Sequence, residues 1–230
     1  MENSENVIKK RTSDHVLSLI KAGVAAVPYI GGPIASLIGD YIPTATQRAI
    51  ESTIQHFKQR LENLESRIDP ESINKDEFAE LFKSCYLIMV RSQKEERLIA
   101  VSNLMSNILL KEGDPDKLKY TELDHFVRCL DAISIGAINV LGCVYKQAQL
   151  RDKEKFGKEN VRLDFRDIYN HIEDNITPDL LMGLLEELNT FHLVHLTGAP
   201  TARLPNYANY PLEFPPIGVR FATHVLGLTT

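Results

Sequence analysis

The sequence predicts a mainly α-helical protein in which an N-terminal multi-helix bundle precedes a smaller module of helices and strands. Apolar residues recur at helical spacings of three and four over most of the chain, and strand-like segments occur only near the C-terminus. Of the 230 residues, 43% are hydrophobic and 25% are charged, a balance typical of folded globular proteins. We therefore expect the whole chain to fold.

Residues 16–42 are rich in small and aliphatic side chains. Proline and glycine interrupt the stretch, so we expect two short helices joined by a hairpin turn at Gly31, Gly32 and Pro33. Lys21 breaks the run of roughly 20 apolar residues that a membrane-spanning helix needs. The hairpin either packs in the bundle core or leaves it to contact a membrane. In the second case the contact residues are Leu17, Leu19, Ile20, Val24, Ile34, Leu37 and Ile38.

A long helix is predicted after Pro43 because apolar residues then recur at spacings of four and three. The residues between them are polar, so one narrow apolar stripe faces a partner helix. That partner is either another helix of the same chain or a second subunit, which makes the stripe a candidate seam for self-association or for a protein partner. The heptad seam consists of Ile50, Ile54, Phe57, Leu61, Leu64 and Ile68.

Two further helices and a short helix from Tyr120 to Leu130 complete the predicted bundle, which we assign to residues 1–132. Asn74 and Glu77 have the spacing of a capping box and predict the start of one helix. Another follows the charged residues at 94–97 and continues with helical spacing to Leu109. These two helices are expected to form the core of the bundle.

The second module is assigned to residues 133–230. Ser134 and Thr177 are predicted helix caps, and Pro178 suits the first position of a helix. In chain order we expect helix 134–146, an exposed connection over 146–160, helix 164–173, a helix from Thr177, a strand over 191–198, a loop over 199–216 and a closing strand or helix. Three helices followed by a strand, a loop and a closing element is the order of a winged helix, so we expect a winged-helix-like module.

The sequence shows no catalytic, metal-binding or cofactor-binding pattern. Its three cysteines are far apart and form no Cys-x-x-Cys pair, which is typical of a reducing compartment such as the cytoplasm. His192 and His195 are the only close histidine pair, and on a strand they would point to opposite faces. We therefore expect a protein that is not an enzyme and that binds no cofactor. An enzyme assembled from distant residues is the third-ranked alternative.

The charge distribution argues against nucleic acid as a partner. Residues 161–230 contain four Lys/Arg against eight Asp/Glu. The helix from Thr177 would enter the major groove in a DNA-binding winged helix, yet it contains Asp179, Glu186 and Glu187 and no basic residue. Arg203, in the following loop, could reach a phosphate. A winged-helix transcriptional regulator therefore stays as the alternative to a protein-contact module.

Several segments together resemble uncharacterised bacterial helical proteins of the abortive-infection (Abi-alpha) type. They are PYIGGPIASLIGDYIP at 28–43, Arg48 with the heptad seam, EFAEL at 77–81 and KEERLIAVSNLMSNIL at 94–109. The resemblance implies a bacterial cytoplasmic protein of phage defence or a toxin-like system, and it implies no active residues. We thus expect a non-enzymatic defence or stress protein that acts through a protein partner and homo-oligomerisation. When activated, it would become a peripheral membrane protein through residues 16–42.

Overall fold

The computed structural model describes residues 47–92, 94–172, 176–198 and 209–228. The chain divides into two compact units, Met1–Asp131 and Ala132–Thr230. We call these the first and second units. The boundary between them lies one residue before the domain boundary predicted from the sequence, which falls between residues 132 and 133. The described residues are mainly helical, with one small three-stranded sheet.

Four helices form the described part of the first unit, and their starts follow local signals in the sequence. Asn74 caps the second helix, because its side-chain oxygen accepts hydrogen bonds from the backbone N–H groups of Asp76 (3.1 Å) and Glu77 (3.4 Å). The predicted cap at Asn74 is therefore confirmed. The four helices are α1 (Gln47–Leu64), α2 (Lys75–Arg91), α3 (Glu95–Ile108) and α4 (Tyr120–Ala132).

Helix α3 lies at the centre of the first unit, packed against both α1 and α2. Every residue from Ala100 to Leu110 is buried, including four polar ones. The Ser106 hydroxyl donates to the Ser102 carbonyl at 2.7 Å, and the Ser102 hydroxyl lies 3.1 Å from the carbonyl oxygen of Thr53 on α1. Because buried polar groups are costly unless they are hydrogen-bonded, these contacts explain how polar residues are tolerated in the core.

The loop after α3 is fixed to the end of α1. Arg67 donates to Asp114 at 2.8 Å and to Asp116 at 2.6 Å. The side-chain amide of Asn107 also holds this loop. Its NH₂ group donates to the Asp116 carbonyl, and its oxygen accepts from the Leu118 N–H. This loop is therefore a structured part of the unit.

The second unit is built around its first helix, α5 (Ile135–Arg151), which packs against the sheet and the other helices of the unit. The predicted caps are confirmed: Ser134 accepts from the Ala137 N–H at 3.1 Å, and Thr177 accepts from the Leu180 N–H at 3.3 Å. The remaining elements are β1 (Val161–Asp164), α6 (Phe165–Tyr169), α7 (Pro178–Thr190), β2 (His195–Leu196), β3 (Pro211–Phe214) and α8 (Pro216–His224).

The sheet is antiparallel with strand order β1-β3-β2. Val161 lies opposite Phe214, and all four buried side chains of β1 and β3 point to one face. Tyr145 of α5 meets the Phe214 ring edge-on, at a centroid distance of 6.4 Å. The sheet and α5 therefore share one apolar core.

Several predicted boundaries in the second unit were wrong. Helix α5 continues to Arg151 because Ala148 is buried, whereas an exposed connection had been expected from residue 146. The expected strand over 191–198 is reduced to the two residues of β2. His192 has a φ of 57° in the turn before it, a left-handed conformation that a strand does not allow. The expected loop over 199–216 contains β3.

Candidate protein-contact surface

The heptad seam lies inside the first unit. Phe57, Leu61, Leu64 and Ile68 are buried, Ile54 is half-buried, and α1 packs against α3 of the same chain. Ile50 lies in α1, and its side chain is outside the described residues. The intramolecular alternative accounts for this burial, and self-association through the seam stays a prediction.

The predicted hairpin lies outside the described residues. This covers the turn residues Gly31, Gly32 and Pro33 and the candidate membrane contacts, which are Leu17, Leu19, Ile20, Val24, Ile34, Leu37 and Ile38. Within the residues that are described, no helix combines the length and the apolar character needed to cross a membrane.

Burial disfavours the thiolate form of two cysteines, although the sulfur of Cys129 lies 3.5 Å from Nε2 of His125. Cys85 and Cys129 are buried, and desolvation raises the pKa of each to about 12. Because the thiolate is the reactive form of cysteine, both are structural at neutral pH. Cys143 is half-buried, with its sulfur 3.7 Å from the Ile168 carbonyl.

The His192 and His195 rings come together, contrary to the sequence-based expectation. Their centroids are 5.9 Å apart at nearly a right angle, because His192 sits in a turn and not on the strand. Across the described ranges, no group of three or more His, Cys, Asp or Glu side chains is arranged to hold a metal ion.

A cleft of about 480 Å³ opens in the first unit between the start of α2, the loop after α3 and the start of α4. Polar groups around it bind one another. The Tyr120 hydroxyl donates to Glu80 at 2.5 Å, which raises the pKa of Tyr120 to about 12. Lys117 pairs with Glu112 at 2.7 Å. The first contact joins α4 to α2, and the second lies within the loop after α3.

Helix α7 has one buried and one exposed side. Its buried side is formed by Leu181, Met182, Leu185 and Leu188. On the opposite side, Leu180 is 51% exposed, and Gly183 and Glu186 are exposed as well. A side chain added at Gly183 would meet no atom within 4 Å, so the surface at this position is open. We call these three residues the acidic face.

A second exposed face lies on α6. Arg166 and Tyr169 are three residues apart and therefore neighbours on the helix surface. Tyr169 is 39% exposed, and its ring stacks on the buried Phe165 ring at a centroid distance of 5.9 Å. Arg166 is exposed and makes no ion pair within the described part of the chain. We call Arg166 and Tyr169 the basic face.

Only a partial signal for these faces is present in the sequence. Leu180 and Tyr169 recur at helical spacing with other apolar residues, but the buried stripe of α7 includes the i, i+4, i+7 set that begins at Leu181. Leu180 lies one position outside that set, which is the signal that could have identified its exposure.

No family model, no curated protein and no solved structure matches the chain. Function therefore has to be inferred from the geometry of the two units themselves.

Proposed function

We propose that the chain is a non-enzymatic bacterial defence or stress protein, similar to abortive-infection proteins, that acts in the cytoplasm through protein contacts. In this proposal the second unit is a winged-helix-like contact module, and the heptad seam of the first unit is the candidate for self-association. The hairpin at residues 16–42 engages the membrane surface when the protein is activated.

The winged-helix-like part of the proposal is supported by the order of elements. Helix α5, strand β1, helices α6 and α7, and strands β2 and β3 follow one another along the chain. Strand β3 lies between β1 and β2 in the antiparallel sheet. This arrangement is the one expected when a helix-turn-helix is followed by a wing.

The proposed protein-contact role is supported mainly by the exposed side chains of α7. In a DNA-binding winged helix this helix would approach phosphates, and Lys or Arg would neutralise them. Here the exposed side chains include Asp179, Leu180 and Glu186, and the helix has no basic residue. Carboxylates beside exposed apolar surface repel a duplex but suit a protein partner.

Two assays separate this proposal from the DNA-binding regulator. Fluorescence anisotropy with labelled duplex at low salt should show no binding beyond weak, sequence-independent association. A photoreactive benzoylphenylalanine at position 180 should form cross-links to protein in cells, while the same group at the exposed Lys153 should not. Sequence-specific duplex binding, or equal cross-linking from both positions, would contradict the protein-contact role.

The membrane role is tested in the full-length chain. Ile20→Glu with Leu37→Glu places charges among the candidate contacts, and Gln59→Glu with Asn63→Glu adds the same charge at exposed positions of α1. In co-sedimentation with anionic vesicles, we expect the first pair to abolish binding and the second to retain it. A wild-type chain that stays in the supernatant would contradict membrane engagement.

A further inference from the structure

Two imidazole rings meet where helix α7 leads into strand β2. The rings of His192 and His195, which we call the histidine pair, have centroids 5.9 Å apart and lie nearly perpendicular to each other. His192 is exposed and His195 is half-buried, so dissolved ions reach the histidine pair from solvent. Imidazole is a preferred ligand of Zn²⁺, Ni²⁺ and Cu²⁺. Two imidazoles at the same surface position therefore form a candidate site for such an ion.

The backbone position of His192 suits glycine better than histidine. The His192 N–H donates to the Asn189 carbonyl at 3.0 Å, and the Leu193 N–H donates to the Leu188 carbonyl at 3.1 Å. These two bonds are the pattern of a Schellman motif, in which glycine usually occupies the left-handed position. Here that position has a φ of 57°. Histidine ends the helix at a greater conformational cost than glycine would, and what it adds is an imidazole beside His195.

We propose that the histidine pair binds a divalent transition-metal ion such as Zn²⁺. Two imidazoles that share one Zn²⁺, each through a nitrogen about 2.1 Å from the metal, have ring centroids roughly 5 Å apart. A small rotation of the exposed His192 side chain brings the rings to that separation. The described residues contain no group of three ligands, so water fills the other coordination positions. This inference goes beyond the proposed protein-contact function and does not depend on it.

The sheet places a carboxylate beside the histidine pair. Glu213 of β3 lies directly opposite His195 of β2, and side chains of directly opposite residues project from the same face of a sheet. The Glu213 Oε2 accepts a hydrogen bond from the Asn160 side chain at 2.8 Å. Arg162 of β1 lies opposite Glu213 on the other side. Along this row the carboxylate is nearer to His195 than the guanidinium is, which favours a bound cation.

Isothermal titration calorimetry of the full-length chain with zinc chloride tests the site. The variants are His192→Gly and His195→Gln, and each removes one imidazole. The matched control is His171→Gln, since His171 is also an exposed histidine of the second unit and its Nδ1 lies 2.8 Å from the Asp167 carbonyl oxygen. Each of the two variants should weaken Zn²⁺ binding by about tenfold or more, because even an outer partner of a metal ligand contributes 10–100-fold. The control should bind Zn²⁺ as the wild type does.

The thermal midpoint of the same samples separates the loss of a ligand from the loss of the fold. Without metal, His192→Gly should be at least as stable as the wild type, because glycine adopts the left-handed conformation without strain. Zinc should raise the midpoint of the wild type and of His171→Gln but not that of His192→Gly. A wild type that binds no Zn²⁺ would overturn the proposal, as would equal Zn²⁺ affinity in the wild type, His192→Gly and His195→Gln.

Discussion

Arg67 in the first unit and Arg166 in the second have different surroundings. Arg67 is bound to Asp114 and Asp116, and these contacts fix a loop. Arg166 lies on an exposed helix face and makes no ion pair among the residues described. The comparison shows that a cation stabilises its unit only where the fold brings carboxylates from a distant segment to it.

Leu61→Asp should have the largest effect, because it breaks the interior of the first unit. Leu61 is 0% exposed on α1, and a carboxylate there would be buried without a partner. We expect a loss of about 4 kcal/mol or more in the free energy of unfolding. Urea denaturation followed by circular dichroism measures it, with Asn63→Asp as the exposed control. An unchanged midpoint would show that α1 does not contribute to the core.

Gly218→Ala should disrupt the second unit for a purely steric reason. An added Cβ would lie 2.2 Å from the Leu193 carbonyl oxygen and 2.6 Å from the Phe214 ring. The backbone would have to shift, at a cost of about 2–3 kcal/mol. Gly142→Ala is the matched control, since nothing lies within 4 Å of its added Cβ. Equal thermal midpoints for the two variants would contradict this close packing.

Arg67→Met removes the charge that holds the loop after α3. The Asp114 side chain, which is only 3% exposed, would lose its bidentate partner. We expect the first unit to lose about 2 kcal/mol of stability. Arg128→Met removes an exposed pair with Asp124 on α4 and should change stability by about 0.5 kcal/mol or less. Similar losses in the two variants would mean that the loop contacts are not structural.

The same contact predicts a pH dependence for the first unit. The hydrogen bond from Arg67 lowers the pKa of Asp114 to about 2. Because this pKa is depressed in the folded state, the stabilisation is present above the unfolded value of about 3.9 and is lost as the pH falls towards 2. The stability difference between wild type and Asp114→Asn should therefore shrink over this range. A difference that stayed constant from pH 5 to about pH 2 would contradict the shift.

Local sequence signals predicted the helices well but could not predict contacts between distant residues. The helix caps at Asn74, Ser134 and Thr177 bind backbone groups two or three residues away, so they could be predicted from the local sequence. The Arg67–Asp114 contact joins residues 47 positions apart, and no local pattern encodes it. Strand β1 was missed because it has only four residues and follows a charged segment.

The candidate faces were difficult to predict for a related reason. Leu180 and Tyr169 are apolar residues within amphipathic helices, and periodicity alone places them inside. Their exposure depends on how α6 and α7 pack against α5, which is a tertiary property. The acidic character of α7 was visible in the sequence, but the open surface at Gly183 became apparent only in the fold.

The most direct test of the outward role of α7 is Gly183→Leu in the chain that carries benzoylphenylalanine at position 180, measured by thermal unfolding and by cross-linking in cells. The added side chain has open space around it and replaces a glycine inside a helix, so the thermal midpoint should rise by the equivalent of about 0.5–1 kcal/mol. The larger side chain on the exposed side should at the same time reduce cross-linking to protein from position 180, while Gly142→Ala leaves it intact. A more stable protein with reduced cross-linking would support the account, and one that cross-links as strongly as the parent would contradict it.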